Sequence, residues 1–255
     1  MLTIRQDQVE AFRQYHLQKF EDEMVEHLKK LSPKHWKAIG EVDGRRGIRL
    51  GIERAESYGF RNRGPVCYYI ELMFVFGSYF DSDPQYPWAS AALNDSDNVD
   101  QAVRADRLWK GMRSYLTETS GPDQQHGHSA LNRLRQARVE DFVRSDQPLE
   151  DSILRTLPTI YPEKCRYVGD GVLQYMIRKG LDLAHTYGFK TTTGEVVVVI
   201  LTFVLGHRFD EDPWCEWVRR RMNDARFPDP ESRAERLRSQ ALVYLEHALR
   251  SRGEG

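Results

Sequence analysis

One short acidic motif occurs twice: Phe80-Asp81-Ser82-Asp83-Pro84 and Phe209-Asp210-Glu211-Asp212-Pro213, each with a tryptophan four residues after the proline, Trp88 and Trp217. Carboxylates at this spacing suit two kinds of chemistry, ligation of a hard cation or work as a general acid and base. They also have an architectural use. An aspartate just before proline makes a fitting N-cap, since its carboxylate accepts free amide hydrogens at the positive end of the helix dipole and proline fills the first helical position. Phe80, Trp88, Phe209 and Trp217 would then anchor the turns in the core. Architecture is the expectation, because neither copy has a third carboxylate or histidine at a shared spacing to complete a metal site. A metal-dependent hydrolase using these aspartates is the alternative.

The remaining reactive residues are sparse. His126-Gly127-His128 lacks other evident ligands and reads as a solvated loop. Cys67, Cys165 and Cys215 are odd in number and scattered, with no CxxC pair, so neither a disulfide framework nor a zinc ribbon is supported. Small buried hydrophobes are their default role. No Walker A, G-x-S-x-G, H-E-x-x-H or dinucleotide fingerprint occurs. No catalytic residue, metal or cofactor is therefore expected.

Arg219-Arg220-Arg221 is the densest basic cluster, but Asp210, Glu211, Asp212, Asp224, Asp229 and Glu231 surround it. A salt-bridged helix surface is favoured over a phosphate-binding face, with helical nucleic-acid binding kept as a further alternative. Lys plus Arg (37) nearly balances Asp plus Glu (38), which gives no general attraction to phosphate backbones or anionic lipid. The 40% hydrophobic and 29% charged shares suit a soluble globular chain. No signal peptide is evident and no apolar run approaches the ~18 residues of a membrane span. The expected location is the cytoplasm, without membrane contact.

These residues sit in a sequence that repeats itself. An offset of 129 aligns residues 48–95 with 177–224 without a gap, 18 of the 48 positions being identical. It matches Tyr58-Gly59-Phe60 with Tyr187-Gly188-Phe189, Gly77 with Gly206, and each acidic motif with the other. Near the start an offset of 130 pairs residues 5–12 with 135–142. The reading is a tandem duplication: a first helical repeat at 1–119, a polar linker at 120–130, and a second repeat at 131–255.

Each repeat reads as helical. Val9, Phe12, Leu17, Phe20, Met24, Leu28 and Leu31 recur mostly at three- and four-residue steps, predicting one helix over roughly 6–31 with these residues inward. Its counterpart is interrupted near Pro148. A second helix near 45–58 carries Gly51, matched by Gly180, and two mid-helix glycines at one place suggest close packing on a neighbour. Val66–Phe76 and Val196–Leu201 have strand-like composition. A buried helix is preferred, with Thr192 and Glu195 as a capping box and Gly206 as its stop. A short helix carrying Trp88 or Trp217 and a fifth near 100–117 complete the module. The expected fold is all-α, a pseudo-two-fold pair of modules with roughly five helices each.

Positions where the repeats differ are where a duplicated scaffold can specialise. Trp36, Tyr68, Tyr69, Tyr86, Trp109, Trp214, Arg219, Arg220 and Arg221 are such positions, and Trp, Tyr and Arg are favoured in binding hot spots. They are the candidate partner contacts.

The opening residues 1–5 with Gln8, and Leu72-Met73-Phe74-Val75-Phe76-Gly77 running into the first acidic motif and Pro87-Trp88, resemble a group of bacterial accessory proteins encoded beside type VI secretion effectors and their spike or PAAR components. The resemblance implies a non-catalytic cytoplasmic protein that binds a cognate toxin or effector, as chaperone, adaptor or immunity protein. It supplies no active-site residues, and the doubled module departs from the group's shorter form.

Overall fold

The computed structural model of the chain describes residues 6–95 and 100–250. Residues 1–5, used in the resemblance, and the side chain of Val9 lie outside what is described. The architecture is all-helical, with no strand among the described residues. In chain order the helices are α1 Gln6–Leu31, α2 Pro33–Ile39, α3 Glu41–Ser57, α4 Arg63–Phe76, α5 Pro87–Leu93, α6 Gln101–Thr119, α7 Gln125–Gln136, α8 Leu149–Ile160, α9 Pro162–Thr186, α10 Thr192–Leu205, α11 Glu216–Met222 and α12 Pro230–Arg250. Short 3-10 turns occupy Pro122–Gln124, Val139–Phe142 and Pro213–Cys215.

Element boundaries recur at the offset read from the sequence. Helix α4 and helix α10 begin and end 129 residues apart, as do α5 and α11. Helix α9 is broken at Gly169, whose φ of 77° matches the 86° of Gly40 between α2 and α3. Only glycine enters that region freely, so each break is written into the chain.

The strand-like composition of α4 and α10 resolves as helix, and the reason is burial on most sides. Val196, Val197, Val198, Val199, Leu201 and Phe203 are all buried, and α10 packs on α9 and α12. A helix that is apolar all round belongs in an interior. Its cap is one residue earlier than expected: Thr191, not Thr192, accepts from the Gly194 amide. Gly51 and Gly180 behave as anticipated. A Cβ on Gly51 would lie 2.7 Å from Ile70 Cγ1, and one on Gly180 would lie 2.6 Å from Val199 Cα.

Two expectations change. The segment read as a polar linker is largely ordered: the 3-10 turn at Pro122–Gln124 leads into α7, which packs on α8 and α12. Its apolar residues Ala130, Leu131 and Leu134 recur at helical spacing, and they outweigh the turn-forming residues before them. Helix α1 has the predicted limits, but only its second half is buried. Met24, Val25 and Leu28 enter the core, while Phe12 and the terminal Leu31 are exposed.

The two halves do not keep separate cores. The cluster built on α3, α4 and α6 of the first half also contains Trp214 and Tyr244 of the second. The second half has two further clusters, one between α10, α11 and α12, the other between α8, α9 and α10.

Candidate functional site

The acidic motifs lie where the halves meet. Helices α4 and α10 each end in a glycine with left-handed backbone, Gly77 at φ 96° and Gly206 at φ 105°, and these turns face one another. A Cβ on Gly77 would come within 2.9 Å of Leu205 O, and one on Gly206 within 3.1 Å of Asp83 Oδ2. The next residue in each turn donates its amide to the opposite motif: His207 N–H to Asp83 Oδ2 at 2.9 Å, Ser78 N–H to Asp212 Oδ2 at 2.8 Å. Each carboxylate's other oxygen caps its own turn, Asp83 Oδ1 accepting from Gln85 N at 2.9 Å and Asp212 Oδ1 from Trp214 N at 2.8 Å. All four contacts are buried. Tyr79 and Arg208, the following pair, stack with the guanidinium carbon 4.0 Å from the ring centroid.

Capping is thus the role of the second aspartate in each motif, and it extends further than the sequence reading. The carboxylate closes its own turn and also secures the turn of the other half. Burial raises the Asp83 pKa, but hydrogen bonds from His207 and Gln85 outweigh it and hold the group below the ordinary value. For Asp212 burial is the largest effect and its pKa stays raised, despite the Ser78 and Trp214 hydrogen bonds. Phe80 and Phe209 are fully buried beside the turns, and Trp88 and Trp217 are partly buried. Pro213 opens its 3-10 turn, whereas Pro84 sits in an irregular turn before α5.

The first aspartates are less alike. Asp81 is buried, with Arg54 Nη2 2.6 Å from both of its oxygens and the Tyr69 hydroxyl donating at 2.6 Å. Asp210 has no arginine, since Leu183 stands where Arg54 does in the first half. Burial raises its pKa, and the Tyr187 hydroxyl lies 3.3 Å away. Arg54→Met is therefore expected to cost roughly 2–3 kcal/mol by leaving a buried carboxylate unpaired, while Asp210→Asn stays within ~1 kcal/mol. Chemical denaturation of the two variants checks the contrast, and equal losses would remove the assignment.

The candidate contacts fare differently. Trp36, Tyr69, Tyr86 and Trp214 are buried and present no surface to a partner. Trp36, Tyr69 and Tyr86 pack within the first half, against Gly44, Phe80 and Phe76 respectively, whereas Trp214 crosses into it. Trp214 lies over the α3 glycines, its Nε1–H donating to Gly44 O at 3.1 Å while its ring touches Gly47. Tyr68 is half-buried and Trp109 is exposed, with the Arg113 guanidinium over its ring. Arg219, Arg220 and Arg221 form a salt-bridged surface. Arg219 pairs with Glu216 at 2.7 Å, Arg220 with Asp43 of the first half at 3.2 Å, and Arg221 donates to Gln240 at 2.6 Å.

Cys165 and Cys215 are buried, Cys67 is half-buried, and all three are free thiols. No group of three or more metal-ligating side chains occurs among the described residues. No described helix is long and apolar enough to cross a membrane. Sequence reasoning missed Ser78 and His207 as the residues that receive the opposite half's carboxylate. A signal was present: both directly follow the repeated Gly77 and Gly206. It also missed Lys164, a buried lysine at a position held by His35 in the first half. No protein-family model matches the chain, and no curated protein or solved structure matches it.

Proposed function

We propose that the chain is a tandem duplication whose modules pair about a pseudo-two-fold axis, and that it is a non-catalytic accessory protein binding a cognate bacterial toxin or effector. The repeated element boundaries and the reciprocal Asp83–His207 and Asp212–Ser78 hydrogen bonds support the duplication. In this reading the second aspartate of each motif, Asp83 and Asp212, serves the joint between modules.

The observation that carries the binding role is the outer half of α1. Residues 10–16 are all exposed, with Phe12 66% and Tyr15 64% accessible. Phe142, which an offset of 130 sets opposite Phe12, is by contrast 2% exposed in the second half. Two aromatic residues presented on the exposed outer half of a helix suit insertion into a protein groove. The resemblance to type VI secretion accessory proteins supplies the class of partner, and the cytoplasm is where such a partner would be held before export.

Co-expression with the product of the neighbouring gene tests the reading. The two proteins should co-purify, and Phe12→Ser with Tyr15→Ser should weaken the complex at least ~10-fold while leaving the melting temperature unchanged. Absence of a complex with the wild-type chain overturns the proposal. Loss of delivery on deletion identifies a chaperone or adaptor, whereas killing of the producing cell identifies an immunity protein.

A further inference from the structure

A cavity of about 180 Å³ lies between α4, α6, α7, α8, α9 and α10, where the second half meets the first. Its wall is mostly apolar, including Tyr115, Leu131, Leu157 and Phe203, and it also carries Lys164. Lys164 is 5% exposed. Its ammonium donates to Phe203 O at 2.6 Å and sits 4.4 Å from the Phe203 ring centroid. No carboxylate lies within ion-pair distance of it among the described residues. The charge it feels most strongly is Asp83, whose oxygens are already bound to the amides of Gln85 and His207. A buried cation without an anion beside it is costly, and the chain has kept room next to it.

The corresponding place in the first half is built differently. His35, Phe74 and Tyr244 stand at the offset positions of Lys164, Phe203 and Tyr115. There His35 bonds the Tyr244 hydroxyl at 2.6 Å and its ring packs 4.5 Å from Phe74, so a hydrogen-bonded pair of rings fills the interior. In the second half a cation faces a hollow instead. The Gln124 amide oxygen on the same wall is buried without a partner.

We propose that this cavity is a binding site for a carboxylate carried on a small apolar group, with Lys164 as the residue that recognises the acid. Cavities near 150 Å³ accept benzene, so the apolar body is an aromatic ring or a branched chain of that size. Two sources carry this chemistry: a free monocarboxylic acid and an apolar C-terminal residue of a protein partner. The inference does not depend on the binding role given to α1.

The affinity should fall as Lys164 loses its proton. Burial lowers its pKa to about 8 while Asp83 opposes the shift. Of the other groups around it, burial raises Tyr115 and takes Cys165 up to about 12, and Asp83 is held low, leaving their charges constant from pH 7 to 9.5. Tyr161 also lines the cavity.

The test uses calorimetric or NMR titration of the full chain with benzoate and with benzamide. Benzoate should saturate a single site and bind at least ~10-fold more tightly than benzamide at pH 7. Its affinity should drop several-fold from pH 7 to 9.5, and Lys164→Met should abolish the preference for the acid. A short peptide ending in phenylalanine, compared with its C-terminal amide, separates the sources. Tighter binding of the peptide acid than of benzoate assigns the site to a partner's C-terminus; binding of benzoate alone assigns it to a free acid. No saturable binding of benzoate, equal binding of benzamide, or a preference surviving in Lys164→Met overturns the proposal. Should that variant fail to fold, a flat wild-type pH profile overturns it equally.

Discussion

Asp83→Ala and Asp212→Ala are each expected to lower stability by about 2–4 kcal/mol, because each deletion orphans two buried amide hydrogens at ~1–3 kcal/mol apiece. For Asp83 these are the amides of Gln85 and His207; for Asp212 they are those of Trp214 and Ser78. The double variant should lose more than ~5 kcal/mol, much of what a domain of ordinary stability possesses. Urea denaturation measures all three. Melting like wild type would mean that the acidic turns do not hold the fold.

The two sites should also respond oppositely to acid. Asp83 has a lowered folded pKa, so its contribution is complete above the ordinary carboxylate value and disappears as pH falls through the folded one. The gap between wild type and Asp83→Ala therefore narrows in strong acid. Asp212 has a raised folded pKa, so its ionised form is held at a cost near neutrality. Protonating it on the way down to the ordinary carboxylate value relieves that cost, and the gap to Asp212→Ala widens. Parallel gaps for the two variants across acid pH would remove the assigned shifts.

The second large effect concerns Trp214. Its indole is buried in the first half's core, edge-on to Phe74 with centroids 5.4 Å apart, and its Nε1–H donates to Gly44 O, a carbonyl inside α3. Trp214→Ala should cost about 3–5 kcal/mol, through the cavity left and the indole hydrogen bond lost. Gly47→Ala attacks the same contact from the other side, since the added methyl meets the indole. Crowding of that kind costs ~1–3 kcal/mol. The pair of changes is expected to be non-additive, because once the indole is gone the methyl has room. A double-mutant cycle by denaturation reads this directly, and strict additivity would show that Trp214 does not fill the α3 groove in solution.

Much of the architecture was open to local reasoning. Gly59, Gly77, Gly188 and Gly206 mark helix ends by a property of glycine itself, and Asp before Pro marks a cap within two residues of its donor. Helix α10 was recoverable despite its valines because its length and its closing glycine favour a helix. What local patterns do not carry is the identity of a distant partner. The second oxygen of Asp83 ends on an amide 124 positions away, and nothing in the spacing of Phe-Asp-x-Asp-Pro announces that. Burial of Trp36, Tyr69, Tyr86 and Trp214 was hidden for a related reason. An aromatic side chain suits a core and a contact face equally, and only the tertiary packing decides, within the first half for Trp36, Tyr69 and Tyr86 and across the halves for Trp214. Lys164 reads in sequence as an ordinary helix-surface lysine, and its burial follows from the cavity wall that α6, α7, α8 and α10 bring round it.

The exchange of carboxylates and amides also sets an order of events during synthesis. The Ser78 amide and the α3 glycine groove leave the ribosome well over a hundred residues before Asp212 and Trp214, the groups that satisfy them. At translation rates of roughly 5–20 residues per second, the leading portion spends several seconds with an exposed apolar slot and an unanswered amide. Completion waits for the trailing portion, so a nascent chain stalled near residue 200 should be held in a collapsed, protease-sensitive state.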